Sequence, residues 1–290
     1  MIRKCNIIMD TDIRNNIIVS VIMGVYNACS NLIVLQSSIE SIQKQTFTNF
    51  EFIICDDGSI DNTYNEIKKL VQYDKRVTLI KNEVNMGLAF TLNRCLKLAK
   101  GKYIARMDAD DISAPNRLEE QVNFLNNNNE YVLVGCNAEL INESTIWGKR
   151  MKEEKPTNKS FLFNSPFIHP TIMMRKGVYQ ELKGYRVSKD TMRAEDYDLF
   201  MRLYAKGYKG YNIQKCLFQF REDNKAYQRR KYKYRIGEAM VRYKGYKMLK
   251  LMPKGYIFIL KPLIVGLVPQ KLLALLRRER KTNMGIGETK

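Results

Sequence analysis

Tyr103-Ile104-Ala105-Arg106-Met107-Asp108-Ala109-Asp110-Asp111 is a mostly apolar run that ends in three carboxylates within four positions. A run of that length closing on clustered acids reads as a buried strand whose carboxyl end opens into a site. Three carboxylates so close repel one another unless a cation sits among them, and they oppose the trend of a chain whose formal net charge is +19. Hard oxygen ligands suit Mg2+ or Mn2+, which keep open positions for substrate phosphates. The plainer alternative is a polar loop with an acidic cap for a helix starting near Pro115. The rest of the chain decides between the two.

Outward from this junction, short apolar runs alternate with helical patterns from about residue 17 to 135. Ile17 to Met23 reads as a first strand, followed by a helix through Leu32, Leu35, Ile39 and Ile42. Phe50 to Cys55 is a second strand ending at Asp56-Asp57-Gly58-Ser59. A helix from about Asp61 to Tyr73, capped by Asp61 or Asn62, comes next. Val77 to Ile80 is a third strand, and Gly87 to Ala99 a helix with Leu88, Leu92, Cys95 and Leu98 on one face. Continuous apolar strands alternating with helices predict an α/β fold with a mostly parallel sheet covered on both faces. Ligands bind such sheets outside the carboxyl strand ends. Three polar clusters fall there: Val25-Tyr26-Asn27, Asp56-Asp57 and Asp108 to Asp111. No GxGxxG follows the first strand and no GxxxxGK[ST] occurs, which argues against a dinucleotide-binding domain and a P-loop nucleotidase.

Residues 136–224 are less regular. Phe167 to Met174 reads as a strand or strand edge carrying the only histidine, His169. Leu199, Phe200, Leu203 and Tyr204 recur at helical spacing, which places Glu195 and Asp196 at a helix N-terminus, where carboxylates are stabilised as anions. The six cysteines form no CxxC pair and sit in apolar patterns. Residues 1–18 carry Arg3, Lys4, Asp10, Asp12 and Arg14 without a long apolar core, so a reduced, cytosolic location is expected.

Taken in order, these parts resemble the family 2 glycosyltransferases, inverting nucleotide-sugar enzymes of GT-A fold. The resemblance runs over roughly 17–222 through Val19 to Asn27, Gln45-Thr46-Phe47, Asp56 to Ser59, Asn85 to Ala89, Ala105 to Asp111, His169-Pro170-Thr171, Gly184-Tyr185-Arg186 and Glu195 to Leu199. It implies a Rossmann-like GT-A domain over 17–224, after a lead of residues 1–16, with a nucleotide-binding half (17–111) and an acceptor half (112–224). The implied activity is metal-dependent transfer of a hexosyl or N-acetylhexosaminyl group from a nucleotide-diphosphate sugar, with a UDP-sugar the donor the resemblance implies, to a glycan hydroxyl.

The same resemblance assigns roles. Asp56 and Asp57 are the acidic pair for the base and ribose, with capping of the following turn open to one of them. Val25, Tyr26, Asn27, Asn85 and Arg106 join them at the donor. Asp108 and Asp110 correspond to the DxD motif that holds Mn2+ or Mg2+ on the diphosphate, with Asp111 a third candidate. Asp196 corresponds to the general base and Glu195 to its neighbour in the Glu-Asp motif. His169 is either a metal or diphosphate ligand, an acceptor-orienting group, or a satisfied buried histidine. Arg117 and Arg202 either pair with the diphosphate or the acids, or lie on helix surfaces. Two other classes were weighed: a non-catalytic nucleotide- or RNA-binding protein of this fold, and a nucleotide-sugar nucleotidyltransferase. The first predicts loss of the metal and base carboxylates, and the second a Gly-rich basic loop after strand one; neither pattern is in the chain.

The charge is uneven. Residues 225–290 hold 18 Lys/Arg against 3 Glu, a net of +15, which leaves +4 for the first 224. Tyr227, Tyr232, Tyr234, Tyr243 and Tyr246 interleave with this basic run. The following apolar stretch, Tyr256 to Pro269, is broken by Lys261, Pro262 and Pro269, and so falls short of the ~20 residues a membrane span needs. A basic amphipathic helical tail lying peripherally on an anionic membrane surface at the inner face is expected, and together with the family resemblance it implies a lipid-linked acceptor in cell-surface polysaccharide synthesis. Nucleic acid is not the expected partner, because the Ile/Leu/Val-rich run has no role in binding it. Packing of the tail on its own domain is the competing expectation.

Overall fold

A computed structural model describes residues 17–142, 145–222 and 232–267. Its first part alternates β1 (Val19–Val25), α1 (Leu32–Gln43), β2 (Phe50–Asp56), α2 (Thr63–Val71), β3 (Val77–Lys81), α3 (Leu88–Leu98) and β4 (Tyr103–Asp108). The strands are all parallel here, in the order β3-β2-β1-β4. β5 (Ile112–Ser113), α4 (Arg117–Asn127), β6 (Tyr131–Ile141), β7 (Ile146–Arg150), β8 (Met173–Arg175), α5 (Lys176–Glu181), α6 (Glu195–Ala205) and β9 (Lys209–Arg221) follow. β8 joins β4 antiparallel, and the sheet continues β8-β6-β9-β5, with β7 on β6. The predicted parallel sheet thus occupies the first half, and the second half is mixed.

Period-two alternation along the strands produces two cores, one on each side of the sheet. Val19, Val21 and Met23 of β1, Phe52 and Ile54 of β2, and Ala105 and Met107 of β4 pack under α1, α2 and α4. Ile22, Ile53 and Ile104 face the other way, with Leu92 and Cys95 of α3 and Leu199, Phe200 and Leu203 of α6. Arg106 shares the face of Ile104 by this alternation, and so does Asp108. Strand parity alone turns the first acid of the cluster towards α6.

Two details depart from the sequence reading. Phe167 to Met174 is not one strand: His169–Thr171 form a 3-10 turn and only Met173–Arg175 pair in the sheet. Pro170 has no N–H to give a ladder, and Thr171 Oγ1 donates to Ile168 O at 2.9 Å, which closes the turn. The second departure concerns the tail. α7 (Tyr232–Met248) and α8 (Gly255–Leu267) follow β9, and Val241, Tyr246 and Leu249 belong to the same core as α6. Residues 232–252, expected in a separate tail from 225, are therefore built onto the domain. Tyr246 Oη accepts from Arg242 Nη1 at 2.6 Å and reaches Leu162 O at 3.0 Å, so its polar tip is satisfied inside that core. The basic run at 277–281 lies outside the described residues.

Candidate active site

The floor of the site comes from the ends of β1 and β2. Asp56 Oδ1 accepts from Ser59 N at 3.0 Å and Ser59 Oγ at 2.5 Å, while Oδ2 is buried, lacks a hydrogen-bond partner and lies 3.7 Å from Lys81 Nζ. Gly58 makes this turn possible. Its φ is +68°, and a Cβ there would run into the Val84 backbone. Asp57 is spent differently: Oδ1 accepts from Asn82 Nδ2 at 2.6 Å and Met86 N at 2.9 Å, and Oδ2 from Gly87 N at 2.8 Å. It therefore ties the Asn85–Gly87 loop to the strand end, and only Asp56 keeps an unsatisfied oxygen. Asn27, at φ +48°, receives Ile60 N on its Oδ1 and gives its own N–H to Ser59 Oγ. It shapes the turn, while Val25, Tyr26 and Asn85 line the cleft beside it.

At the end of β4 the three acids gather. Carboxylate oxygens of Asp108, Asp110 and Asp111 all lie within 4.8 Å of one another. Burial, then the charge of Asp108, pushes the Asp110 carboxyl up to about 6; Asp110 keeps a solvent-facing edge although protein crowds its other sides. Burial drives Asp111 well above the usual carboxylate range, with Asp110 and Asp108 adding to it. Asp111 Oδ1 accepts from Arg221 N at 2.7 Å, and its buried Oδ2 has no partner. Arg221, from β9 in distant sequence, also gives Nε to Asp110 O at 2.9 Å. No pattern near residue 110 signals that contact.

Two buried arginines stand behind the acids. Arg106 Nη1 lies 2.5 Å from Asp108 Oδ1, and its Nε and Nη2 have no partner. Arg117, the first residue of α4, donates Nη1 to Arg106 O at 3.2 Å and to Pro170 O at 3.0 Å; burial lowers it to about 10. It is not on the surface. It joins the acid-bearing strand to the His169 turn. Arg202, the other candidate, is likewise structural: Nε holds Asp198 Oδ2 at 2.8 Å, while Nη1 and Nη2 cap Leu182 O and Gly184 O.

The second carboxylate pair opens α6. Burial first and the neighbouring Asp196 second push Glu195 up to about 7, against the helix N-terminal amides, which pull it down. Asp196 stands half-buried beside it and acts electrostatically on Tyr185 and Lys152. His169 does not join the acid cluster. Its Nε2 is 2.8 Å from Tyr185 Oη, which in turn lies 3.2 Å from Tyr179 Oη. Burial, helped by Arg106, lowers His169 well below its ordinary value and so keeps the ring neutral. The Arg106 charge is felt by Asp110, Asp111, Glu195 and His169 alike, so one guanidinium acts on both acidic groups.

Glu195 lines a cleft of about 480 Å³ beside the ends of β1 and β2. Gly24, Val25, Tyr26, Asp57 and Asn85 form one wall, and Ser188, Thr191, Met192, Arg193, Glu195 and Tyr234 the other. Gly24, which lines the cleft, pairs in register with Asp108, so the end of β4 that carries the acids runs beside it. A Cβ on Gly24 would come 3.1 Å from Thr91 Cγ2, so the glycine lets α3 approach the strand end closely. The 187–193 loop and Tyr234 carry no motif; they reach the site only through the fold.

Residues 20–183 match the sequence profile of Glycosyl transferase family 2. The putative glycosyltransferase EpsE of Bacillus subtilis is 42% identical over 273 residues, covering 94% of this chain and 97% of that protein. The UDP-Glc:alpha-D-GlcNAc-diphosphoundecaprenol beta-1,3-glucosyltransferase WfgD of Escherichia coli is 36% identical over 186 residues, 64% of this chain and 69% of WfgD. Among solved structures, S. aureus TarS with UDP-GlcNAc superposes with a TM-score of 0.65 at 17% identity, covering 82% of this chain and 72% of that one. The fold is therefore of the GT-A kind. By the family profile and by identity along almost its whole length, the chain belongs to the family 2 glycosyltransferases.

Proposed function

We propose that this glycosyltransferase moves a sugar, with inversion, from a UDP-sugar to a hydroxyl of a lipid-linked glycan acceptor in cell-surface polysaccharide synthesis. One observation carries the reading. An acid cluster at the end of β4, in register with the cleft-lining Gly24, and a carboxylate pair at a helix N-terminus whose Glu195 lines the same cleft are both acted on by one buried guanidinium. The donor set of the cluster is all carboxylate oxygen, and Asp111 Oδ2 is buried with nothing to satisfy it, so the residues fit a hard divalent cation such as Mn2+ or Mg2+. Asp108, Asp110 and Asp111 would hold that cation, which supplies charge neutralisation to the departing diphosphate. Arg106 fixes the Asp108 carboxylate by their ion pair.

On the opposite side, Asp196 takes the proton of the acceptor hydroxyl as that oxygen attacks the anomeric carbon. The bond from that carbon to the diphosphate breaks on the other face, and the configuration inverts. Glu195, whose proton is held up to about 7, is the member of the pair suited to stay neutral and donate a hydrogen bond. Asp56, with its unsatisfied oxygen, is the candidate for the base or ribose. Names of relatives that specify UDP-sugars and diphosphoundecaprenol-linked acceptors support the substrate classes.

The C-terminal helices support a position at the inner membrane surface. Among the described residues no helix is long and apolar enough to cross a membrane. α8 nevertheless exposes Tyr256, Ile257, Leu260, Ile264 and Leu267, spaced along one side. Lys261, which interrupts this run in sequence, turns inward and donates Nζ to Phe163 O at 2.8 Å. The outer face is thus more apolar than the linear sequence suggests, and it belongs to the segment of net charge +15. Screening the full chain against UDP-, GDP- and dTDP-sugars for donor hydrolysis, with Mn2+ and with EDTA, tests the core of the proposal. Hydrolysis of a UDP-sugar that stops in EDTA is expected; equal rates in EDTA would remove the metal role.

A further inference from the structure

Every named motif lies before residue 200, yet the cleft has a wall supplied from residue 234. Tyr234, half-buried at the start of α7, lines the cleft together with the 187–193 loop and Glu195. One face of α7 continues from it through Gly237, Val241 and Gly245, spaced three to four residues apart. That face lies flush on the domain. A Cβ on Gly237 would stand 2.6 Å from Asp190 O, and one on Gly245 would run into Met201 Sδ of α6. Lys244 Nζ donates to Asp190 Oδ2 at 2.8 Å, so α7 holds the cleft loop by its backbone and by a side chain. The loop has its own brace, because Thr191 Oγ1 donates to Arg186 O at 2.7 Å and Ala194 N to Thr191 O at 2.8 Å. Its height above the cleft is therefore set where Asp190 meets Gly237.

We infer that α7 forms the acceptor-side wall of the active cleft, with Tyr234 stacking on a sugar ring of the acceptor and Gly237 setting the position of the 187–193 loop. This rests on the glycosyltransferase reading above. The acceptor assignment follows from the geometry of the two walls. The nucleotide side is made by the ends of β1 and β2 and the Asn85–Gly87 loop, and Tyr234 stands on the other wall with Glu195. A base must touch the acceptor hydroxyl, so side chains on its wall meet the acceptor. A tyrosine ring offers a rigid apolar face with a polar tip, which matches the C–H face and hydroxyl rim of a pyranose. Gly237 and Lys244 are positioning residues that act through the loop.

Two measurements on the full chain test the inference. The first uses UDP-glucose and UDP-N-acetylglucosamine as donors and a synthetic N-acetylglucosaminyl diphospholipid as acceptor probe. Tyr234→Ala should raise the acceptor KM about tenfold, the size of one lost aromatic contact, a larger change than in the donor KM. Tyr234→Phe should restore the acceptor KM. The second is amide hydrogen exchange of Gly237→Ala: residues 187–193 should exchange about tenfold faster, with residues 50–59 unchanged, because only local opening is eased. An unchanged acceptor KM in Tyr234→Ala, or a change confined to the donor, overturns the acceptor wall. Wild-type exchange over 187–193 in Gly237→Ala overturns the hold of α7 on the loop, whatever the activity. A wild-type chain that hydrolyses none of the nucleotide sugars would instead refute the glycosyltransferase reading.

Discussion

Two clusters of carboxylates mark this enzyme, and they are built in opposite ways. Asp108, Asp110 and Asp111 sit at a strand end with no helix dipole to support them, crowd to within 4.8 Å, and leave a buried oxygen unsatisfied. Their repulsion is relieved only in part: Arg106 pairs with Asp108 and Arg221 N donates to Asp111, yet Asp110 and Asp111 are still pushed up. Glu195 and Asp196 begin a helix whose amides favour anions, yet burial pushes Glu195 up to about 7. Under the proposed function the first arrangement would answer to a cation and the second to a proton. The difference shows that acid residues acquire a chemistry from what surrounds them, and one guanidinium biases both sites at once.

The comparison breaks most sharply at the strand end. Asp110→Asn should lose on the order of 10³-fold in Mn2+-dependent transfer, the scale of several kcal/mol of charge stabilisation. Its melting temperature in EDTA should be unchanged or slightly higher, because a repelling charge is gone. Undiminished transfer in the variant would end the metal assignment. Asp196→Asn should keep UDP binding and slow turnover by on the order of 10²-fold or more, as removal of a general base does. A collapse of UDP affinity with normal turnover of bound donor would move Asp196 to binding.

Smaller effects sharpen the contrast. Arg106→Met should cost about 3 kcal/mol of stability, the lower end for breaking a buried pair, since Asp108 keeps some solvent; denaturant midpoints measure it. Glu195 supplies a pH test. Its folded pKa of about 7 stands above the ordinary glutamate value of 4.5, so the folded state binds the extra proton between those values. Stability from this group is therefore present below 4.5, declines as pH rises towards 7, and is level beyond. Glu195→Gln should flatten that decline, so its midpoint relative to wild type should rise from pH 5 to pH 8; an unchanged difference would contradict the buried carboxyl. The smallest effect belongs to the tail. Ile257→Glu with Leu260→Glu should weaken sedimentation with anionic vesicles and leave donor hydrolysis intact, and equal pelleting would move the membrane contact elsewhere.

The residues that are legible in sequence are those whose neighbours in space are neighbours in the chain. Parallel strands with their following helices repeat a local pattern, so β1 to β4 and the acids at their ends could be read directly. Helix periodicity located Glu195 and Asp196 at the start of α6 in the same way. His169 shows the limit. Its histidine and proline are visible, but the turn that replaces the expected strand and the contact with Tyr185 depend on how β8 meets β4. Arg117 and Arg202 look like surface cations in sequence and are anchored inward, because only packing supplies the carbonyls and the Asp198 that hold them.

By itself, then, the sequence determined the parallel α/β half, the carboxylates at its strand ends and the family to which they point. Those features follow from apolar periodicity and from acids fixed at strand and helix termini, which are local physics. Only the tertiary structure decided that Asp57 is spent on a loop while Asp56 keeps an oxygen, that Arg221 ties down Asp111, and that α7 closes the cleft with Tyr234. Each of these needs hydrogen bonds or apolar burial between segments from about 30 to more than 100 residues apart, and such pairings are selected by the packing of the whole chain rather than by any stretch of it.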